Sequence, residues 1–180
     1  MKRHINLTTI DKNDSFFEID YGWTSSPFGP CLIYSYKNYI FGLAYGNKRT
    51  KAVIEVDMKS RWKHCTFIEN SEKTKNLGRE IFYKDGSLNL MASGTKFQTQ
   101  VWHALLKISF GQTATYSEVS DSIGNSKSAR AVANAIGRNP IAWLIPCHRV
   151  IRKSSGLGGY HWGLPLKKKM LSFERLSTTA

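Results

Sequence analysis

The chain has 180 residues, 41% hydrophobic and 22% charged, which fits a soluble globular protein and leaves no run long enough to span a membrane. Its three cysteines, at positions 31, 65 and 147, are too few and too scattered for a disulfide framework, so free thiols in a reducing compartment are expected. The net charge of +13 is uneven: residues 1–92 hold 14 Lys and Arg against 10 Asp and Glu, and residues 93–180 hold 12 against 3. A basic half with three carboxylates points to a polyanion partner, because clustered Lys and Arg gain from displacing condensed counterions. A generally basic, well-solvated surface would look the same. The opening MKRHINLTTIDKND is basic without a following apolar stretch, so no secretory signal is read, and the expected location is the cytoplasm, or the nucleus in a nucleated host.

The first half reads as a small α/β unit. Cys31-Leu32-Ile33-Tyr34-Ser35-Tyr36 and Tyr39-Ile40-Phe41-Gly42-Leu43-Ala44-Tyr45 are aromatic and β-branched, and Lys37-Asn38 between them predicts a β-hairpin. Residues 48–62 are helix-compatible, with Ala52, Val56 and the Lys59 stem on one face. A second, polar helix is predicted over 71–83, followed by the turn Lys84-Asp85-Gly86. His4, Cys31, His64 and Cys65 match no zinc-ligand spacing, so no metal site is assigned. Nothing in this half spells chemistry.

Ser93-Gly94 reads as the junction between halves. Thr95 with Gln98 forms a capping box, and Phe97, Val101, Leu105 and Ile108 predict a core-facing helix that closes at Phe110-Gly111. Ser117 is placed as the N-cap of a short helix over 118–123 that ends at Gly124. A second helix is read from Lys127 to Gly137, making a helix-turn-helix unit. Ala129, Val132 and Ile136 are expected inward, with Arg130, Asn134 and Arg138 aligned on another side. One arginine among small residues suits close approach to a minor groove better than base reading in a major groove. An ordinary alanine-rich core helix would have the same composition.

The apolar run 141–145 reads as a buried strand or buried helical segment that Pro146 ends. Cys147 and His148 then sit together. A thiol with a pKa near ~8.5 needs a base or positive charge to become a nucleophile. Neighbours on extended backbone point to opposite sides, so joining Cys147 to His148 requires a turn or a bridging water. The imidazole needs an acid to orient it, and Glu174, on a helix over 165–176, is the best placed carboxylate. A Pro-Cys-His string alone is more often an inert thiol than a reactive one.

Ordered together, Phe97 with Val101-Trp102, Thr115-Tyr116-Ser117, Ala129-Arg130-Ala131-Val132, Asn139-Pro140, Ile145-Pro146-Cys147-His148-Arg149-Val150, Gly159-Tyr160 and Glu174 resemble the O6-alkylguanine-DNA alkyltransferases. The run Gly159-Tyr160-His161-Trp162-Gly163 is most similar to the alkyltransferase domain of bacterial adaptive-response (Ada) proteins. The resemblance implies an α/β N-terminal domain of structural role over 1–92, a small sheet with helices. It also implies a mostly α C-terminal domain over 93–180 that carries the helix-turn-helix, binds DNA and accepts the alkyl group. The substrate implied is O6-alkylguanine in double-stranded DNA, bound through the minor groove, with O4-alkylthymine as a second candidate.

In the roles the resemblance implies, Cys147 is the acceptor, His148 activates it through a water, and Glu174 supports His148. Asn139 braces the turn. Tyr116 donates toward the guanine and helps rotate the nucleotide out, and Arg130 fills the vacated stack. Ser117, Ala129, Ala131, Ala133, Asn134 and Arg138 complete the DNA-binding set. The carbonyls of Cys147 and Val150 recognise the exocyclic amine, and Tyr160, His161 and Trp162 complete the substrate pocket. Trp162 stands where some relatives carry a small residue at the pocket rim, so bulky adducts are expected to fit poorly. A thioether product cannot be hydrolysed, so each molecule acts once, as a monomer, without cofactor or metal. A non-enzymatic binder of alkylated DNA is the alternative; it would lack the acceptor cysteine.

Overall fold

The computed structural model describes residues 3–10, 17–46, 50–126, 128–154 and 156–178. The chain divides into two compact units, Met1–Gly94 and Thr95–Ala180.

The first unit is built on one six-stranded sheet. Its strands are β1 (Arg3–Ile10), β2 (Glu18–Ser26), β3 (Gly29–Tyr36), β4 (Tyr39–Tyr45), β5 (Thr66–Glu69) and β6 (Gly86–Ser93), in the order β1-β6-β4-β3-β2-β5. β2, β3 and β4 form an antiparallel meander, while β1 with β6, β6 with β4 and β2 with β5 pair in parallel. The predicted hairpin is β3–β4, and Lys37 takes a positive φ of 52° in its turn. The central strands are apolar along almost their whole length and buried, whereas edge strand β1 alternates exposed and half-buried residues. That alternation is interrupted by polar residues, so β1, β2, β5 and β6 escaped the sequence reading. The sheet is larger than the hairpin-centred one expected.

Two helices belong to this unit, α1 (Lys51–Lys59) and α2 (Ser71–Tyr83). α2 has the predicted bounds; α1 is shorter than the predicted 48–62, and positions 47–49 lie outside the described residues. The predicted face of α1 is corrected: Ile54 and Met58, four apart, are buried, and Val56 is 70% exposed. α2 comes close to β2 because glycines face the contact. A Cβ on Gly22 would lie 2.4 Å from Thr74 Oγ1, and one on Gly78 would lie 2.9 Å from Thr24 Cγ2. The C-terminal end of α2 is closed by the Arg3 guanidinium, which donates to the Ile81 carbonyl and, at 2.6 Å, to the Lys84 carbonyl.

The second unit is mainly helical: α3 (Lys96–Leu106), α4 (Tyr116–Ser122), α5 (Ala129–Gly137) and α6 (Leu164–Thr178), with a two-stranded ribbon of β7 (Ala114–Thr115) and β8 (Val150–Ile151). The Thr95–Gln98 capping box opens α3, which buries Val101, Trp102, Ala104 and Leu105 and stops at Leu106, four residues short of Phe110. Trp102 Nε1 donates to the Ala135 carbonyl at 3.0 Å, tying α3 to α5. α4 starts two residues earlier than predicted. Thr115, not Ser117, is its N-cap, because Thr115 and Glu118 form a second capping box. Gly124 follows its end with φ +72°. In α5 the buried residues are Val132, Ala135 and Ile136; Ala129 is only half-buried, and Lys127 lies outside the described residues.

The run 141–145 is neither strand nor helix. It is a sequence of turns, buried except at the half-buried Trp143, which adopts φ +70°, and is followed by a 3-10 turn at Cys147–Arg149. Its apolar character reports burial, and burial does not specify backbone shape. Among the described residues no helix is long and apolar enough to cross a membrane, and no group of three or more His, Cys, Asp and Glu could hold a metal ion.

Candidate active site

Cys147 begins the 3-10 turn and is buried, 6% exposed, at a pocket of about 510 Å³. Asn139 braces this turn from three directions. Its Nδ2 donates to the Ile145 carbonyl at 2.9 Å and to Cys147 Sγ at 3.1 Å, and its Oδ1 accepts from the Ile141 amide at 2.9 Å. Burial pushes the Cys147 thiol above the ordinary range; the Asn139 hydrogen bond, the nearby Lys167 charge and a Tyr160 hydrogen bond act against it. The surroundings therefore favour the thiolate while the burial disfavours it. Such a thiol stays protonated at rest and needs a base.

A base is at hand. His148 is fully buried, and its Nε2 lies 2.8 Å from Glu174 Oε1. Nδ1 has no hydrogen-bond partner among the described residues. Burial holds the imidazole below its usual pKa, and Glu174 opposes that shift, so His148 is neutral at pH 7. Glu174, 1% exposed, also takes Arg149 Nε at 3.1 Å to both oxygens, Arg149 Nη2 at 2.9 Å and the Gly111 amide at 3.0 Å. Burial alone would raise this carboxyl; hydrogen bonds from His148 and Arg149 outweigh it and hold it below the ordinary range. It is an ionised, fully satisfied carboxylate. Arg149 is itself anchored by the Ile108 carbonyl at 2.6 Å and lies over the Phe110 ring.

Lys167 is the residue that sequence reasoning missed. It is fully buried in α6, and its Nζ donates to the carbonyls of Val150 at 2.5 Å, Leu157, and Gly159 at 3.3 Å. Burial pulls its pKa down to about 8. The signal was present: Leu166, Lys167, Met170 and Glu174 form one helical stripe, and a lysine inside an apolar stripe must find partners. Trp143 was missed as well. Its indole stacks on the His148 ring with centroids 5.1 Å apart and planes 17° apart.

Most of the sequence-predicted residues converge on the pocket. Tyr116, Ala129, Arg130, Ala133 and Asn134 line one part of it, and Asn139, Cys147, Tyr160, His161 and Trp162 line another. Tyr116 is half-buried; burial raises its phenol, and the Gly159 backbone hydrogen-bonds to it. A Cβ on Gly158 would sit 2.9 Å from the Tyr116 hydroxyl, so the loop is glycine where the ring approaches it. The Tyr160 hydroxyl reaches Met170 Sδ at 3.3 Å.

His148 and Glu174 lie outside the pocket lining, and four further residues fall elsewhere. Ser117 is exposed and lines a shallow neighbouring groove with Arg152 and Lys153. Ala131 on α5 and Arg138, its C-cap residue, are exposed but line neither cavity. The Val150 side chain is fully buried and outside the pocket lining, so only its carbonyl could serve a ligand. Trp162 is a buried wall, 2% exposed, and not a rim residue. Arg152, from the loop after β8, joins the pocket lining without having been singled out.

The pocket ends on a thiol braced by an amide, with an imidazole–carboxylate pair beside it in sequence and an arginine on a small-residue helix in its lining, an arrangement suited to thiol chemistry. Comparisons with known proteins agree. Residues 96–176 match the family model described as 6-O-methylguanine DNA methyltransferase, DNA binding domain. The probable methylated-DNA–protein-cysteine methyltransferase of Acanthamoeba polyphaga mimivirus is 51% identical over 135 residues, covering 70% of this chain and 90% of that protein. The regulatory protein Ada of Salmonella typhimurium is 47% identical over 88 residues, 49% of this chain and 25% of Ada. The crystal structure of Mycobacterium tuberculosis OGT in complex with DNA superposes with a TM-score of 0.69 at 32% identity, covering 87% of this chain and 93% of that one. The chain belongs to the methylated-DNA–protein-cysteine methyltransferase family, whose members repair DNA by moving an alkyl group to a protein cysteine.

Proposed function

We propose that Cys147 is the acceptor and that the protein removes the alkyl group of O6-alkylguanine from duplex DNA, once per molecule. The observation that carries this is Cys147 Sγ, 3.1 Å from Asn139 Nδ2, at a pocket that Arg130 and Tyr116 also line. A stacked, paired guanine cannot bring its O6 substituent to a buried thiol, so the nucleotide must be extruded. α5 suits minor-groove approach: Arg130, Ala131, Asn134 and Arg138 are exposed along it, and the alanines let its backbone come close. Arg130 takes the vacated place in the stack, and Ser117 with Arg152 and Lys153 faces the phosphates. α4 and α5 thus act as a helix-turn-helix. The first unit has a structural role, and the protein works as a monomer in the cytoplasm, or in the nucleus of a nucleated host.

In the transfer, the Cys147 proton passes through a water to His148, and Glu174 stabilises the imidazolium. Sγ bonds to the alkyl carbon, the carbon–oxygen bond breaks, and its electron pair passes into the guanine ring, where Tyr116 donates a hydrogen bond. The Val150 carbonyl already accepts from Lys167, and the Cys147 carbonyl from the Val150 amide. Each keeps one lone pair for the exocyclic amine. A thioether is neither hydrolysed nor a good leaving group, so the protein is consumed.

Intact-mass measurement after mixing with a duplex containing O6-methylguanine is expected to show one added methyl group, on the Cys147 peptide. A protein that stays bound without gaining mass would be a lesion binder instead. Cys147→Ala is expected to abolish transfer and keep duplex affinity. Arg130→Ala is expected to slow transfer from duplex more than reaction with the free base; equal losses would remove its role in extrusion.

A further inference from the structure

We propose that Trp143 is a positioning residue for the transfer, fixing the plane of the His148 ring and stabilising the imidazolium that forms when Cys147 is deprotonated. The inference rests on the reading of Cys147 as acceptor and His148 as its base. Trp143 sits at φ +70°, a region that a bulky aromatic residue enters only under constraint. Such strain persists where the surroundings over-determine it, and often where geometry matters to function. Here the strained turn delivers the indole onto the imidazole, stacked at 5.1 Å and 17°. Phe110 and Phe173 meet the indole edge-on at 6.4 Å and 6.0 Å, so it is clamped from two sides.

His148 needs such support. Its one hydrogen bond among the described residues, Nε2 to Glu174, leaves rotation about that axis open, while Nδ1 is the nitrogen left to take the proton. A flat indole against one face removes the rotation. The same face carries the negative side of the ring quadrupole, which attracts a cation above it, and Trp is the strongest such platform. The charges around His148 are Glu174 and Lys167 on α6 and Arg149 on its own turn. Arg149 and Lys167 oppose protonation, Glu174 favours it, and burial is the largest opposing influence. The indole adds a favourable contribution at no further cost in charge.

Single-turnover methyl transfer from a saturating O6-methylguanine duplex, followed across pH 5 to 9, tests this in the full chain. Trp143→Leu is expected to lower the plateau rate by about three- to tenfold, the range a cation–π contact supports. It should also move the acid limb to lower pH, because His148 then protonates less readily. Duplex affinity should stay unchanged, and Trp143→Phe should recover most of the rate. Loss of rate in proportion to affinity, an unmoved acid limb, or a Phe variant as slow as the Leu variant would each overturn the proposal. If the Leu variant does not fold, the wild-type protein still decides. The His148 ring protons should be shifted upfield by the indole ring current in its NMR spectrum, and unshifted protons would rule the stack out. A wild-type protein that gains no methyl group would instead bring down the acceptor reading itself.

Discussion

In the first unit the buried polar side chains among the described residues are Ser35 and Thr74; in the second they are Ser120, Asn139, His148, Lys167 and Glu174. The first unit keeps its interior neutral. Tyr34, Phe41 and Trp62 pack at ring separations of 4.9–5.2 Å, and its Lys73–Asp20 ion pair stays partly in water. The second unit buries a carboxylate, a cationic amine and an imidazole within one short turn and one helix. Burying charge is a poor way to gain stability, since hydrophobic replacements often do as well or better. On the mechanism proposed for Cys147, what the charges gain in the second unit is chemistry: a thiol with a base, a base with an acid, and a loop tied down beside them.

Three experiments press on this contrast. Glu174→Gln should have the largest effect. It removes the charge that Arg149 and His148 share, and breaking a buried pair typically costs about 3–5 kcal/mol, measurable by urea unfolding. Transfer should slow by about a hundredfold or more as the imidazolium loses its support. A variant with wild-type stability would show that the carboxylate is not held as the geometry indicates.

Lowering the pH should act next, and unevenly. His148 and Glu174 both titrate below their ordinary values of 6.5 and 4.5 in the folded protein. The unfolded chain therefore takes up these protons first. The stability that these two groups contribute is full above pH ~6.5 and is lost in two stages, as pH falls through the histidine range and then through the carboxylate range. Amide exchange followed from pH 7 to 4 should show protection falling in residues 95–178 before 17–94. Simultaneous loss would erase the distinction. The smallest effect belongs to Thr74→Val, which removes a hydroxyl bonded to the Asn70 carbonyl at 3.0 Å. Less than about 1.5 kcal/mol should be lost, with transfer unchanged.

Legibility in the sequence follows the same divide. The hairpin β3–β4 and helix α2 were readable because continuous apolar runs and a polar helical period are strong local signals. β1, β2, β5 and β6 were not, since edge and half-buried strands mix Asn, Thr, Asp and Ser with apolar residues. Glu174 was found by elimination among three carboxylates, and the structure sets it 2.8 Å from His148. Arg149 stood in the motif and received no role, although it holds Glu174 with two nitrogens. Trp143 was hidden because its position depends on a positive φ that no local pattern announces. Lys167 was not singled out, and its partners are backbone atoms that leave no mark on composition.

The ammonium group of Lys167 grips the stretch 150–159 by main-chain oxygens only, at Val150, Leu157 and Gly159. Every amino acid supplies the same oxygen, so the fastening is indifferent to which side chains the stretch carries. Apart from Gly158, which the approach of Tyr116 keeps as glycine, side chains of the stretch can change without loosening this fastening. The lysine, by contrast, has no substitute with three donors on so compact a head. Variation should therefore accumulate in the loop and stop at its anchor.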